Sequence, residues 1–215
     1  MISMQLRKKL LKSARLYLIL DAQVNSYPEL LDIAGVSAKA GVDILQLRDK
    51  RGGAKDILDL SKRIRSRIPD HVLFILNDRV DLALLAQADG VHVGQDDIPV
   101  KEVKRLSGKK LLIGQSCQTL RQVQQAKACG ADYVGFGSVF KTKTKPDRSP
   151  MEQDLFKRVI QSADVPLFSI GGINLDRVKT LMNEFGAERF AVCRDISCAK
   201  NIKKQVQQYK EILRG

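Results

Sequence analysis

The chain predicts a single (β/α)8 barrel spanning residues 1–215, on three observations. Strand-like and helix-like segments alternate to the end. The strand-like runs are short and apolar throughout, as parallel strands covered on both faces are. Six of them lead into polar clusters: Gln46-Leu47-Arg48-Asp49-Lys50, Asn77-Asp78-Arg79, His92-Val93-Gly94-Gln95-Asp96-Asp97, Gly114-Gln115-Ser116, Thr142-Lys143-Thr144-Lys145 and Gly171-Gly172. Polar groups gathered at the C-terminal ends of many parallel strands describe one site on a barrel. An open doubly wound sheet shares the alternation, but its motifs would gather at a switch point.

Each element follows from local signals. A short basic extension occupies about residues 1–15, and Leu16 to Leu20 is an apolar run closed by Asp21. Pro28 and Glu29 open a helix to about Lys39, with proline at a tolerated first-turn position; Gly41 stops it before the strand beginning at Ile44. Helical spacing of Ile57, Leu58, Leu60 and Ile64 marks 54–67, which Pro69 ends. Val72 to Leu76 is a buried strand, 80–86 a short helix, 90–93 a strand, 99–106 a helix and 111–113 a strand. Thr119 begins a helix closed by Gly130, and Tyr133 to Phe136 is strand. After Pro146 and Pro150 come a helix at 152–161 and a strand at 166–170. Asn174 is placed as the N-cap of a helix to Phe185. Residues 190–193 are strand and 199–213 the last helix. Gln87-Ala88-Asp89, Gly130-Ala131-Asp132 and Gly186-Ala187-Glu188 each precede a strand, echoing a repeated αβ turn.

Composition bounds the function. With 44% apolar and 28% charged residues, 215 residues can build one sizeable core. No apolar stretch approaches the roughly 20 residues of a membrane span, and Leu16 to Leu20 is too short for a signal-peptide core. The four cysteines form no Cys-x-x-Cys pair and no cluster with histidine, which points to a reduced, cytoplasmic protein without zinc or disulfides. Net charge is +13, which favours anionic partners. With 5% aromatic residues and no tryptophan, a base-stacking platform for nucleic acid is not supported. Phosphorylated small molecules are the expected partners, with no nucleic acid and no membrane; a homo-oligomer is left open.

The clusters divide by chemistry. Asp78 and Asp97 are hard oxygen donors at the ends of neighbouring strands, suited to a Mg²⁺ that completes its shell with substrate phosphate. Either could instead cap the following helix, and Asp96 competes with Asp97, since an extended segment sends only one of the two inward. Arg48 and Lys50 alternate on one strand exit with Gln46 on the same side, a forked donor and a point charge for phosphate. Arg79 is as well suited to an ion pair with a neighbour. Gly135 and Gly137 permit close approach to the backbone, and Thr142 and Thr144 can point together at a phosphate. Gly171-Gly172 lies after the seventh strand, where barrels commonly bind phosphate. His92, inside a strand, is read as a satisfied interior group, and Cys193 as a packed thiol. No spaced Ser/His/Asp set supplies a nucleophile.

In this order and spacing the motifs resemble the thiamine-phosphate synthase family. The resemblance runs from Tyr17 to about Ile196 and rests on residues 46–50, 77–81, 88–97 and 142–145. It implies a barrel that joins a hydroxymethylpyrimidine diphosphate to a thiazole phosphate and releases pyrophosphate. Gln46, Arg48, Lys50, Asn77, Ser116 and Lys145 would then hold the pyrimidine diphosphate, with Arg48, Lys50 and Lys145 catalytic. Asp78 and Asp97 would hold Mg²⁺, and Thr142, Thr144 and Gly172 the thiazole phosphate. The chemistry is consistent: diphosphate departs readily once its charge is offset, and no protein nucleophile is needed. This chain departs from the family pattern in having Ser138 where proline is usual and Cys193-Arg194 where Val-Ser is usual; by that position Cys193 and Arg194 are placed with the substrate-binding residues, and Arg194 could bond the thiazole phosphate, or pair with Asp195. A thiazole tautomerase-like paralogue would not need the carboxylates or the Arg48/Lys50 pair. A non-catalytic phosphate-ligand protein is the other alternative.

Overall fold

Eight parallel strands pair in chain order and close, β8 hydrogen-bonding back to β1. The computed structural model describes residues 2–142 and 150–214. The elements are α1 (Met4–Ser13), β1 (Leu16–Asp21), α2 (Tyr27–Ala40), β2 (Ile44–Arg48), α3 (Ala54–Arg67), β3 (Leu73–Asn77), α4 (Val80–Leu85), β4 (Gly90–Val93), α5 (Val100–Ser107), β5 (Leu112–Cys117), α6 (Leu120–Cys129), β6 (Tyr133–Phe136), α7 (Gln153–Ser162), β7 (Leu167–Ile170), α8 (Leu175–Phe185), β8 (Phe190–Val192), α9 (Arg194–Ser197) and α10 (Ile202–Arg214). No helix among the described residues is long and apolar enough to cross a membrane.

Strand alternation separates two cores. Leu16, Leu18 and Leu20 on β1, and Leu45 and Leu47 on β2, face the helices and join the large outer core. Tyr17, Ile19, Ile44, Leu73, Ile75, Leu112, Tyr133 and Phe168 fill the barrel interior. The same alternation carries Gln46 and Arg48, Asn77, His92 and Ser116 onto the inner face above that apolar plug. The register sets Asn77 beside His92, His92 beside Gly114 and Ser116 beside Gly135.

Caps form where the sequence places them. Thr119 and Gln122 make a capping box on α6, and Asn174 Oδ1 accepts from the Arg177 amide at 2.9 Å. Gly41 and Gly130 close α2 and α6 in the left-handed region, at φ +112° and +94°. Residues 4–13 of the basic N-terminal segment form α1, which covers the N-terminal end of the barrel. Leu11 and Ala14 pack on the interior core, and Arg7, 3% exposed, reaches the Lys110 carbonyl at 2.6 Å and Asp89 at 2.9 Å.

Most boundaries fall within a residue or two of expectation, and two near the mouth differ by more. β5 runs on past Ile113 to Cys117, because Gly114 to Cys117 find partners on β6. Beyond Val192 the chain turns at Cys193 (φ −122°, ψ −94°) into the separate short helix α9, so the last helix begins at Ile202 rather than near Ala199.

Candidate active site

A cavity of about 460 Å³ opens at the C-terminal end of the barrel. Of the expected site residues, Gln46, Arg48, Asn77, Ser116, Thr142, Gly172, Cys193 and Arg194 all line it. Thr144 and Lys145 lie outside the described residues. Lys50, Asp78 and Asp97 form an ionic cluster next to the cavity-lining Asn77: Lys50 Nζ bonds Asp78 and stands 4.0 Å from Asp97.

Arg48 is 12% exposed and anchored through one nitrogen. Its Nη1 donates to buried Asp21 at 2.8 Å and to Gln23 Oε1 at 3.1 Å, and among the described residues no hydrogen bond from its Nη2 or Nε is seen. Lys50 is carried by a loop that Asp49 organises. The Asp49 carboxylate accepts from the Arg51 and Gly52 amides, at 2.8 Å each, and from the Tyr27 hydroxyl at 2.5 Å. Burial pushes the Asp49 pKa up, but these bonds and the nearby Arg48 charge outweigh it, and the net shift is downward.

Asp78 does not cap a helix; its carboxylate engages Lys50, and its backbone sits at φ +61°, held by a 2.8 Å bond from its amide to the His92 carbonyl. Non-glycine residues adopt that conformation uncommonly, aspartate more readily than most. Asp97 closes the β4–α5 loop by accepting from the Gly94 amide at 2.7 Å, while Asp96 is exposed. Burial raises the Asp78 pKa; hydrogen bonding to Asp97 and its charge push the same way, against Lys50. Two carboxylates drawn to one ammonium make a locally negative pair that could take a cation. Among the described residues no group of three or more His, Cys, Asp or Glu gathers for a metal. Two carboxylates are a donor set that Mg²⁺ can use when water and phosphate oxygens complete its shell. Arg79 turns away into a bidentate pair with Asp81, at 2.9 and 2.6 Å.

Inside the cavity, Asn77 Nδ2 is buried with no hydrogen-bond partner among the described residues. An orphaned buried donor is costly, and because Asn77 lines the cavity a ligand acceptor could satisfy it. At the β7–β8 side, Gly171 and Gly172 hold φ +104° and +65°. Arg194 is exposed at the rim and makes no ion pair with Asp195, which instead accepts from Gln205 and Tyr209. Burial pushes the Cys193 thiol up to about 12, so it stays protonated.

Some lining residues went unnoticed in sequence. Arg177 donates to the Gly172 carbonyl and lays its guanidinium 4.5 Å from the Phe140 ring centroid. Tyr17, Tyr133 and Phe168 form the cavity floor with ring centroids 5.3 to 6.0 Å apart. Their signal was slight: single aromatics at inward positions of otherwise aliphatic strands.

The fold and site thus define a (β/α)8 barrel whose mouth gathers cations, carboxylates and glycines around one cavity. The thiamine monophosphate synthase family profile matches residues 16–196, and the chain belongs to that family. It is 37% identical to a thiamine-phosphate synthase of Clostridioides difficile, covering 94% of this chain and 97% of that one. It is 42% identical to a thiamine-phosphate synthase of Gloeobacter violaceus over 89% of this chain, but spans only 55% of that longer relative. A thiamine phosphate pyrophosphorylase structure from Pyrococcus furiosus superposes with a TM-score of 0.85 at 29% identity, covering 97% of this chain and 98% of that one.

Proposed function

We propose that this chain is a thiamine-phosphate synthase, a transferase that condenses 4-amino-2-methyl-5-hydroxymethylpyrimidine diphosphate with thiazole phosphate, or its carboxylate. The products are thiamine phosphate and pyrophosphate. The observation that carries the reading is the juxtaposition of the unpartnered Asn77 amide, inside a cavity shared by Gln46, Arg48 and Ser116, with the Lys50–Asp78–Asp97 cluster. The heterocycle would fit against the amides and the serine, and the diphosphate, carried as its Mg²⁺ complex, would reach from Arg48 to the cluster.

Arg48 and Lys50 would hold the diphosphate, and Lys145 would join them. Asp78 and Asp97 would hold Mg²⁺, which when bound offsets the negative charge of the leaving group. The carbon–oxygen bond to diphosphate breaks and the thiazole nitrogen forms the new carbon–nitrogen bond. The electron-rich aminopyrimidine stabilises the cation between these events. The protein's contribution is positioning and electrostatics. Thr142, Thr144, Gly172 and Arg194 would seat the thiazole phosphate on the opposite rim. The four thiols are free, which suits work in a reducing cytoplasm.

The test is pyrophosphate release from the two substrates together with Mg²⁺. Stoichiometric release with thiamine phosphate is expected, and absence of release sinks the reading. Thiazole isomerisation without release would assign the chain to the tautomerase-like branch. Lys145→Ala should lower the single-turnover rate by about 3 kcal/mol in barrier; if only thiazole phosphate affinity falls, Lys145 serves the other substrate.

A further inference from the structure

Five side chains form one hydrogen-bonded line across the barrel interior. Gln46 Nε2 donates to the Tyr17 hydroxyl at 2.7 Å, and the Tyr17 and Tyr133 hydroxyls are 3.1 Å apart. The Tyr133 hydroxyl is 3.3 Å from His92 Nδ1, and His92 Nε2 is 3.0 Å from Ser116 Oγ. The line runs beneath the cavity from Gln46 on one side to Ser116 on another, linking β2, β1, β6, β4 and β5. All its members except Ser116 are buried.

Each hydroxyl has one proton to place, so the direction propagates. Tyr17 accepts from Gln46 and gives its own proton to Tyr133. Tyr133, having accepted, gives its proton to His92 Nδ1. A neutral imidazole that accepts at Nδ1 carries its hydrogen on Nε2, and that hydrogen goes to Ser116 Oγ. The serine's remaining proton then points into the cavity. Burial raises both phenols well above the ordinary tyrosine range, so neither leaves the line by ionising. The packing is specific: a Cβ on Gly114 would overlap the Tyr133 ring and stand 2.5 Å from His92 Nδ1.

We propose that Tyr17 and Tyr133 are positioning residues that fix His92 as its Nε2–H tautomer and thereby present the Ser116 hydroxyl to the substrate as a hydrogen-bond donor. This rests on the cavity being the pyrimidine diphosphate site. The substrate atom facing Ser116 is then an acceptor, a ring nitrogen or a phosphate oxygen, and not the exocyclic amine.

The chain has only two histidines, and His71 is exposed, so nitrogen spectra of ¹⁵N-histidine-labelled protein are simple to read. At about pH 8.5, two units above the ordinary histidine pKa, His92 should show a protonated Nε2 and a bare Nδ1. Tyr133→Phe should move both shifts toward the averaged values of His71. A wild-type His92 protonated at Nδ1 overturns the proposal without any variant, as does an unchanged pattern in Tyr133→Phe. In turnover, Tyr133→Phe should lower kcat about tenfold, the effect of one ordinary hydrogen bond, with the Michaelis constant for thiazole phosphate unchanged. Added to Ser116→Ala it should cost nothing further; an equal loss in that background overturns the proposal. Wild-type protein that releases no pyrophosphate would refute the functional reading alone, because the nitrogen spectrum still decides the line.

Discussion

At the N-terminal end of the barrel, aspartates sit in closed arrangements. Asp89, 2% exposed, places Oδ1 2.9 Å from Arg7 and gives Oδ2 to Arg65 at 2.8 Å and the Phe74 amide at 2.9 Å. Asp43 accepts from the Arg15 and Leu16 amides and from Lys210, and Asp132 accepts from the Ile113 amide. These are the acids of the αβ turns, each tying the start of a neighbouring strand. At the C-terminal end, Asp78 and Asp97 both face one lysine, and Asn77 keeps a buried amide with no partner among the described residues. The lower acids are each tied to backbone amides and cations, as Asp21 and Asp49 are at the mouth, whereas Asp78 and Asp97 share one lysine beside the Asn77 amide. The first arrangement is structural; the second suits a place for ligands.

The largest expected effect breaks the lower end. Asp89→Ala leaves Arg7 and Arg65 without their buried carboxylate and should cost about 3–5 kcal/mol. At about 2–4 °C per kcal/mol for a chain of this size, the melting temperature should fall on the order of 10 °C. Turnover per folded molecule should be unchanged, and a matching fall in turnover would show that the two ends are not separable. Next is the upper end: Asp78→Ala or Asp97→Ala should lower turnover by about 10²–10³-fold, with circular dichroism unchanged. Near wild-type activity in both at limiting Mg²⁺ would remove the metal assignment, and loss of fold would make these acids structural too.

A smaller effect separates the two rims of the mouth. Arg194→Ser should raise the Michaelis constant for thiazole phosphate about tenfold, as loss of a charge-assisted bond would, and leave that for the pyrimidine diphosphate in place. An unchanged constant would mean Arg194 is surface charge. The smallest concerns Asp49, whose lowered pKa contributes stability that is present above the ordinary carboxylate range and lost as pH falls through its folded value. Asp49→Asn should therefore melt below wild type at neutral pH, the gap closing on acidification. A gap that persists in acid would locate the effect in packing rather than charge.

Much of the barrel was legible because each strand and helix carries its own local signal. α3 was bounded to the residue, and Asn174, Gly41 and Gly130 were read as caps and stops from chemistry that acts within a turn. Strand alternation alone grouped Gln46 with Arg48 and preferred one of Asp96 and Asp97. What closure of the sheet decided was everything that depends on distant neighbours. The lengthening of β5 to carry Ser116 needed partners on β6. The line from Gln46 through Tyr17, Tyr133 and His92 joins residues up to 116 apart in sequence, and no local pattern announces it. Whether an acid is saturated, like Asp89, or left facing another, like Asp78, follows from which strands the closed sheet makes adjacent. Periodicity fixes which way a side chain points; only the tertiary fold supplies what it meets.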